Sequence, residues 1–463
     1  MAKRILIWLV AVIFQAALVP GQAAAGTNSY ILRTPSSAQA QAVCQRYGLQ
    51  IVRNLGGSDV YLVQGSDAVP PDTLKQWVKG DPDVKNLELD EDSHVSERSL
   101  VNYPAPTAQP LSTPVSDSRL IRLYGAGTWV GYVQQPAVDL INVRAVQQRQ
   151  ITGTGIVAII DTGVDPRHPV LSAVLVPGYD FTRDVMGPAS EFPDLSQSTA
   201  AILEQSTTAI LEQTRIVQLN QSTAAILEQS TAAILEGQRL PGYFGHGTMV
   251  AGLVHLVAPT AQIMPLKAFK ADGSAKISDI VRAIYYATDH GAKVINMSFS
   301  LPRFSDELMR AINYASRNGV ICIASVGNET KRDLVYPAAL GNVAGVGSTT
   351  LNDARSAFSN YGADLVTVAA PGEALVTTYP GKHYAQVWGT SFSSALVSGG
   401  AALLVGAVNE NTSVSLEQAD VRRALSQTVP CGPCDLGNGR VDLSAAVQYI
   451  RQVKLPQTST TAK

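Results

Sequence analysis

Apolar residues along this chain fall into two kinds of run. Over residues 155–161 the run GIVAIID is apolar without alternation, the pattern of a strand covered on both faces. QIMPLKAF, KVINMS, GVICIAS and NVAGVGS repeat it further on. Between them HGTMVAGLVHL, ISDIVRAIYYATDHG and SDELMRAINYASRNG read as helices. His290-Gly291 and Asn318-Gly319 read as C-caps that release two of these helices into the next strand. Strands alternating with helices predict an α/β domain, a parallel β-sheet flanked by helices on both faces. Residues 389–407, GTSFSSALVSGGAALLVGA, are small or apolar on every side after the Gly-Thr-Ser turn and predict a buried helix.

The front of the chain has a different order. SYILRT, SAQAQAVCQRYGL, QIVRNLGGSDVYLVQG, PPDTLKQWVKG and VKNLELDED predict strand, helix, hairpin, helix and strand. That β-α-β-β-α-β order belongs to a small ferredoxin-like α+β unit, placed at residues 26–98. Residues 99–138 include YPAPTAQPLSTP and are expected to be a linker open to proteolytic nicking. The α/β domain is expected over 139–453, followed by a polar tail at 454–463.

Residues 197–236 interrupt the α/β pattern with tandem octads: QSTAAILE, QSTTAILE, QTRIVQLN, QSTAAILE, QSTAAILE. Eight residues rotate an α-helical stripe by about 80° per repeat, so one long helix would not keep a single buried face. A strand's two-residue period does survive the repeat, yet Ala, Leu, Glu and Gln favour helix. Both conformations stay open; a surface insertion, an interaction arm or a lid are the roles available to it.

Residues 1–25 carry Lys3 and Arg4, an apolar run over 5–19, and Ala23 and Ala25 at A-x-A spacing, which reads as a secretory signal peptide. The run is short for a membrane span, so no membrane anchor is expected, and the protein is read as secreted, periplasmic or extracellular. A net charge of −2 gives no reason to expect nucleic acid as a partner. Among the four cysteines, Cys431-Gly-Pro-Cys434 has the letters of a redox tetrad but is embedded in Pro430 and Asp435-Leu-Gly-Asn-Gly, which is loop chemistry. A local disulfide is expected there, and a buried thiol at Cys322.

Several residues could carry chemistry. Ser391 opens the predicted buried helix, where unpaired N–H groups and the helix dipole favour a developing oxyanion, although serine is also an ordinary N-cap. Asp161 ends the first buried strand, where α/β sheets place their sites; it could bind magnesium, accept a phosphoryl group or orient a histidine. His246, flanked by Gly245 and Gly247, opens a helix whose N-terminus favours a neutral imidazole, suited to a general base. Asn328 follows GVICIAS and could donate to an oxyanion or merely form a Gly-Asn turn. His168 and His255 with Asp161 and Asp165 lack the paired spacing of a catalytic metal site, so no metal is expected there.

Taken in order, VAIIDTGVD, GHGTMVAGLV, VINMSFS, ASVGNET and GTSFSSALVSG resemble the subtilisin-like serine proteases, the subtilases (peptidase S8), whose Asp–His–Ser order is a standard example. The likeness runs from about residue 139 to 450. It implies a secreted serine endopeptidase with Ser391 as nucleophile, His246 as base and Asp161 as its partner. It also implies Asn328 in the oxyanion hole, and Ser298, Phe299 and Ser300 along the substrate. The front unit resembles the family's inhibitory propeptide, an intramolecular partner later cut off. Protein or peptide substrates are expected, and no cofactor for the chemistry; structural calcium is common in the family, but no ligand set is identified. Ala395 and Leu396 depart from the family's usual residues, and Ser300 stands where a glycine is usual, which narrows the first specificity pocket. The rival readings are a catalytically silent subtilase scaffold that binds through its octads, and an esterase with the same nucleophile.

Overall fold

The structure is a computed structural model and describes residues 27–94, 117–196, 217–219, 240–409, 416–432 and 434–455. The expected signal peptide, most of the octads and nearly all of the polar tail lie outside the described residues. The chain divides into two compact units, Met1–Asp90 and Glu91–Lys463.

In the first unit the strands Thr27–Arg33, Gln50–Gly56, Val60–Ser66 and Asn86–Leu89 form one antiparallel sheet. Val60–Ser66 and Thr27–Arg33 lie at its centre, the order of a split β-α-β unit. Helices Ser37–Tyr47 and Pro71–Val78 cover one face, burying Val43 and Leu74 against Tyr30, Leu32 and Val63. Ser36 caps the first helix through its side chain and Gly48, at φ 67°, ends it.

The second unit is built on a ten-stranded sheet. Its middle is parallel and runs in space Gly178–Asp180, Gln262–Lys267, Ile156–Asp161, Ala292–Met297, Ile321–Ser325, Ala344–Thr349, Val368–Pro371. The predicted continuous apolar strands are buried along nearly their whole length, because helices lie on both faces. Gly291 and Gly319 take φ of 81° and 74° just beyond the helices Ile277–Asp289 and Asp306–Arg317, as their C-cap reading requires.

Helix Thr390–Asn409 runs through the middle of the core, and its apolar span Thr390–Val408 is entirely buried. Two adjacent glycines in a helix cost about 2 kcal/mol relative to alanines. Packing explains them. A Cβ on Gly399 would sit 2.6 Å from Val257 Cβ, and one on Gly400 would sit 2.5 Å from Leu443 Cδ2. The glycines let this helix approach both His246–Val257 and Leu443–Lys454 closely.

Two features differ from the sequence reading. The expected linker at 99–138 is folded from residue 117 onward, with a hairpin of Leu120–Leu123 and Ala126–Trp129. Tyr132 beyond it is fully buried and its hydroxyl donates to Gly252 O at 2.6 Å. The Pro-rich composition of residues 103–114 was extended too far, across Trp129, Val130, Tyr132 and Val138, which belong to the core. A hairpin of Leu375–Tyr379 and His383–Val387 went unpredicted. In the octads, Val217–Leu219 forms a strand parallel to His383–Val387. It falls in QTRIVQLN, the one octad in which β-branched Ile216 and Val217 replace alanines.

Cys431 and Cys434 form a disulfide in a loop, and Cys44 and Cys322 are free and buried. Burial pushes the Cys322 thiol up to about 12, so it behaves as a small apolar side chain.

Candidate active site

Asp161 is the last residue of its strand, at the carboxyl end of the parallel sheet. Its Oδ1 accepts from Thr162 N at 2.7 Å and faces His246 Nδ1 at 2.8 Å. Asp161 and His246 are 4% and 3% exposed, so this contact is shielded from water and from salt. Asp161 Oδ2 has no hydrogen-bond partner among the described residues.

His246 opens helix His246–Val257 because Gly245, at φ 90°, turns the chain into it. A Cβ on Gly245 would meet Tyr379 Cε2 at 2.6 Å, and one on Gly247 would meet Gly163 O at 2.1 Å. Gly247 therefore seats the helix start directly on the loop that follows Asp161, and Gly245 lets it approach Tyr379.

Ser391 lies in the first turn of the long core helix, and the ring of the next residue, Phe392, is 5.6 Å from the His246 ring. Ser391 Oγ donates to Ser298 O at 3.2 Å. The neighbouring serines have structural partners. Ser393 Oγ donates to Pro371 O at 3.1 Å, Ser394 Oγ to Ser391 O at 2.8 Å, and Ser398 Oγ to Asn296 Oδ1 at 2.8 Å.

Asn328, just past the strand Ile321–Ser325, is 2% exposed and accepts from Thr390 N at 2.9 Å through Oδ1. Of the expected substrate-binding residues, Ser298 turns its hydroxyl inward and donates to Ser391 O at 2.9 Å. Phe299 packs on Phe269 with ring centroids 4.9 Å apart. Ser300 Oγ lies 3.1 Å from where a Cβ on Gly327 would be. Its side chain thus fills space beside Gly327, Glu329 and Asn360.

Glu191 is a residue that the sequence reading missed. It is fully buried, with Oε1 accepting from Thr162 Oγ1 at 2.9 Å and Oε2 from Thr248 Oγ1 at 2.9 Å. Burial pushes its carboxyl up to about 8, against the pull of those hydroxyls and of Lys267. Nothing in ASEFPDL marks it, because only the fold brings residue 191 between residues 162 and 248.

Among the described residues no three His, Cys, Asp or Glu side chains are grouped to hold a metal ion. His168 and His255 are instead buried bases, both pushed down to about 4 by burial.

Residues 153–449 match the model of the subtilase family, peptidase S8. The chain belongs to the subtilase family. The buried aspartate–histidine contact lies within the matched residues. A thermophilic serine proteinase from Bacillus sp. (strain AK1) is 33% identical over 59% of this chain and 55% of its own length. Thermitase from Thermoactinomyces vulgaris is 30% identical over 63% of this chain and 88% of its own. Among solved structures, fervidolysin from Fervidobacterium pennivorans, a keratinolytic enzyme related to subtilisin, superposes with a TM-score of 0.65 at 20% identity. That match covers 93% of this chain and 62% of fervidolysin, and it shows the shared subtilase fold.

Proposed function

We propose that this subtilase hydrolyses peptide bonds through an acyl-enzyme on Ser391. His246 takes the Ser391 proton as Oγ attacks the carbonyl carbon and returns it to the leaving amine. Asp161 fixes the imidazole tautomer and stabilises its positive charge. The Asn328 amide and the Ser391 backbone N–H receive the oxyanion. Substrate lies extended along the segment after Met297 and borrows main-chain hydrogen bonds as an added strand. Ser300 narrows the first specificity pocket. The observation that carries this reading is the buried 2.8 Å contact of His246 Nδ1 with Asp161, beside the helix Thr390–Asn409 that carries Ser391 in its first turn.

The front unit acts as an intramolecular inhibitor of an exported zymogen, removed by a cut before the hairpin that begins at Leu120. Asp92–His94, which directly follows that unit, supports this: it pairs antiparallel with Ser274–Lys276 as an extended peptide would. The test is the mass and N-terminus of exported wild type beside Ser391→Ala. Loss of the front unit in wild type alone is expected. Identical processing of both would show that another protease matures the chain, and no processing of either beyond the signal peptide would overturn self-maturation.

A further inference from the structure

Three chain segments meet behind Asp161 and His246: residues 161–164, 189–191 and 245–248. Their backbones are in close contact. A Cβ on Gly163 would meet Ala189 O at 2.7 Å, and Val164 N donates to Ala189 O at 2.8 Å. The Glu191 side chain bonds both of the other segments, through Thr162 and Thr248. Thr162 adjoins Asp161, and Thr248 lies two residues beyond His246.

The donors around Glu191 are arranged for an acceptor. Thr162 Oγ1 already accepts from Gly247 N at 3.1 Å, and Thr248 Oγ1 from Asp165 N at 2.8 Å. Each hydroxyl then directs its one hydrogen at Glu191, and Thr248 N adds a third donor at 3.3 Å. A carboxylate accepts all three, whereas an amide or a protonated carboxyl brings its own hydrogen into a place without a matching acceptor. Fold stability alone gives no reason for an acid here, since a buried carboxylate is costly to desolvate. Lys267, the cation that acts on it, spends its hydrogens on Thr162 O, Phe269 O and Asp194 at 2.7–2.8 Å.

We propose that Glu191 is a positioning residue for the reaction: by clamping Thr162 to Thr248 it holds Asp161 and His246 in hydrogen-bonding register. The inference rests on the reading of Asp161 and His246 as the catalytic pair. The clamp adds to the direct Gly247 N to Thr162 Oγ1 bond a second tie between two segments far apart in sequence. The charged and titratable groups around it are Asp161, His246, Asp165, Asp194, Lys267 and Tyr379.

The test uses the full chain carrying Glu191→Gln, with kcat and KM on a peptide anilide normalised by titration of reactive serine. The expected result is a kcat reduced about 10- to 100-fold with KM within twofold, together with a lower melting temperature, because the amide leaves a buried hydrogen without an acceptor. The wild-type kcat should rise through an ionisation near pH 8, where the carboxyl gives up its proton to accept all three donors, and Glu191→Gln should lack that rise. Should Glu191→Gln fail to fold, Thr162→Val removes a donor and keeps the acid. It should lower kcat at constant KM and move the rise to higher pH, because the lost hydrogen bond favoured the ionised form. A Glu191→Gln enzyme with wild-type kcat and an unchanged pH profile would overturn the proposal and leave the catalytic pair standing. A wild type with no titratable serine would instead overturn the catalytic reading beneath it.

Discussion

Replacing Gly247 by alanine sets helix propensity against packing at the residue next to His246. Alanine is favoured over glycine inside a helix by about 1 kcal/mol, so propensity alone predicts a more stable protein. The new Cβ, however, would fall 2.1 Å from Gly163 O and 3.2 Å from Asp161 Cβ, where real Cβ atoms essentially never come within 3.0 Å. The helix start or the 161–163 loop must give by about 1 Å, because the site is close-packed and cannot absorb the atom. Those two segments carry His246 and Asp161, which face each other at 2.8 Å. A misplacement of about 1 Å costs roughly 100-fold in rate, equivalent to about 2.7 kcal/mol of barrier. Packing therefore wins, and Gly247→Ala should fall about 100-fold in kcat. The assay is anilide hydrolysis corrected for titratable serine, beside thermal melting. A variant within threefold of wild-type kcat and at least as stable would refute the reasoning.

The other predictions concern neighbouring groups. Asn328→Ala should lose about 10²–10³ in kcat with little change in KM, and about 1 kcal/mol of stability from the helix cap at Thr390 N; steady-state kinetics with urea unfolding checks both. Lys267→Met leaves Asp194 with Arg183 as its remaining cation and strips a buried donor from Thr162 O and Phe269 O, which should cost about 1–3 kcal/mol in urea unfolding. His168 and His255 stay neutral in the fold to about pH 4 but bind protons below about 6.5 once unfolded. Their contribution is therefore fully present above pH 6.5 and is lost as pH falls towards 4, up to about 3 kcal/mol each. His255→Leu should flatten the acid decline in urea midpoint by about one proton, and an unchanged slope would contradict this assignment.

The parallel sheet was legible because its strands are buried on both faces and so carry unbroken apolar runs, as in IVAIID and ICIAS. The helix ends were legible where glycine at positive φ is required, at Gly291 and Gly319. The candidates Asp161, His246, Asn328 and Ser391 stand out in the sequence because motif residues cluster around each of them. What escaped the sequence depended on long-range contacts. Leu375–Tyr379 and His383–Val387 carry Thr377, Thr378 and Gln386 buried by hydrogen bonding, which blurs their apolar pattern. Thr377 and Thr378, for example, donate to the carbonyls of Met249 and Thr248. Residues 117–138 took the character of the Pro-rich stretch before them, although Tyr132 is anchored on Gly252, 120 residues away. Glu191 could not be found at all, since its partners are 29 and 57 residues distant, and although Thr162 and Thr248 lie in motifs, nothing in ASEFPDL ties residue 191 to them.

The central claim is that Ser391, activated by His246 and Asp161, is the nucleophile. The most direct measurement is reaction of the purified protein with a fluorophosphonate, followed by mass spectrometry of its peptides. One adduct per chain on the peptide containing Ser391, abolished in Ser391→Ala and strongly slowed in His246→Ala, is the result expected. An adduct elsewhere, or equal labelling of wild type and Ser391→Ala, would contradict it.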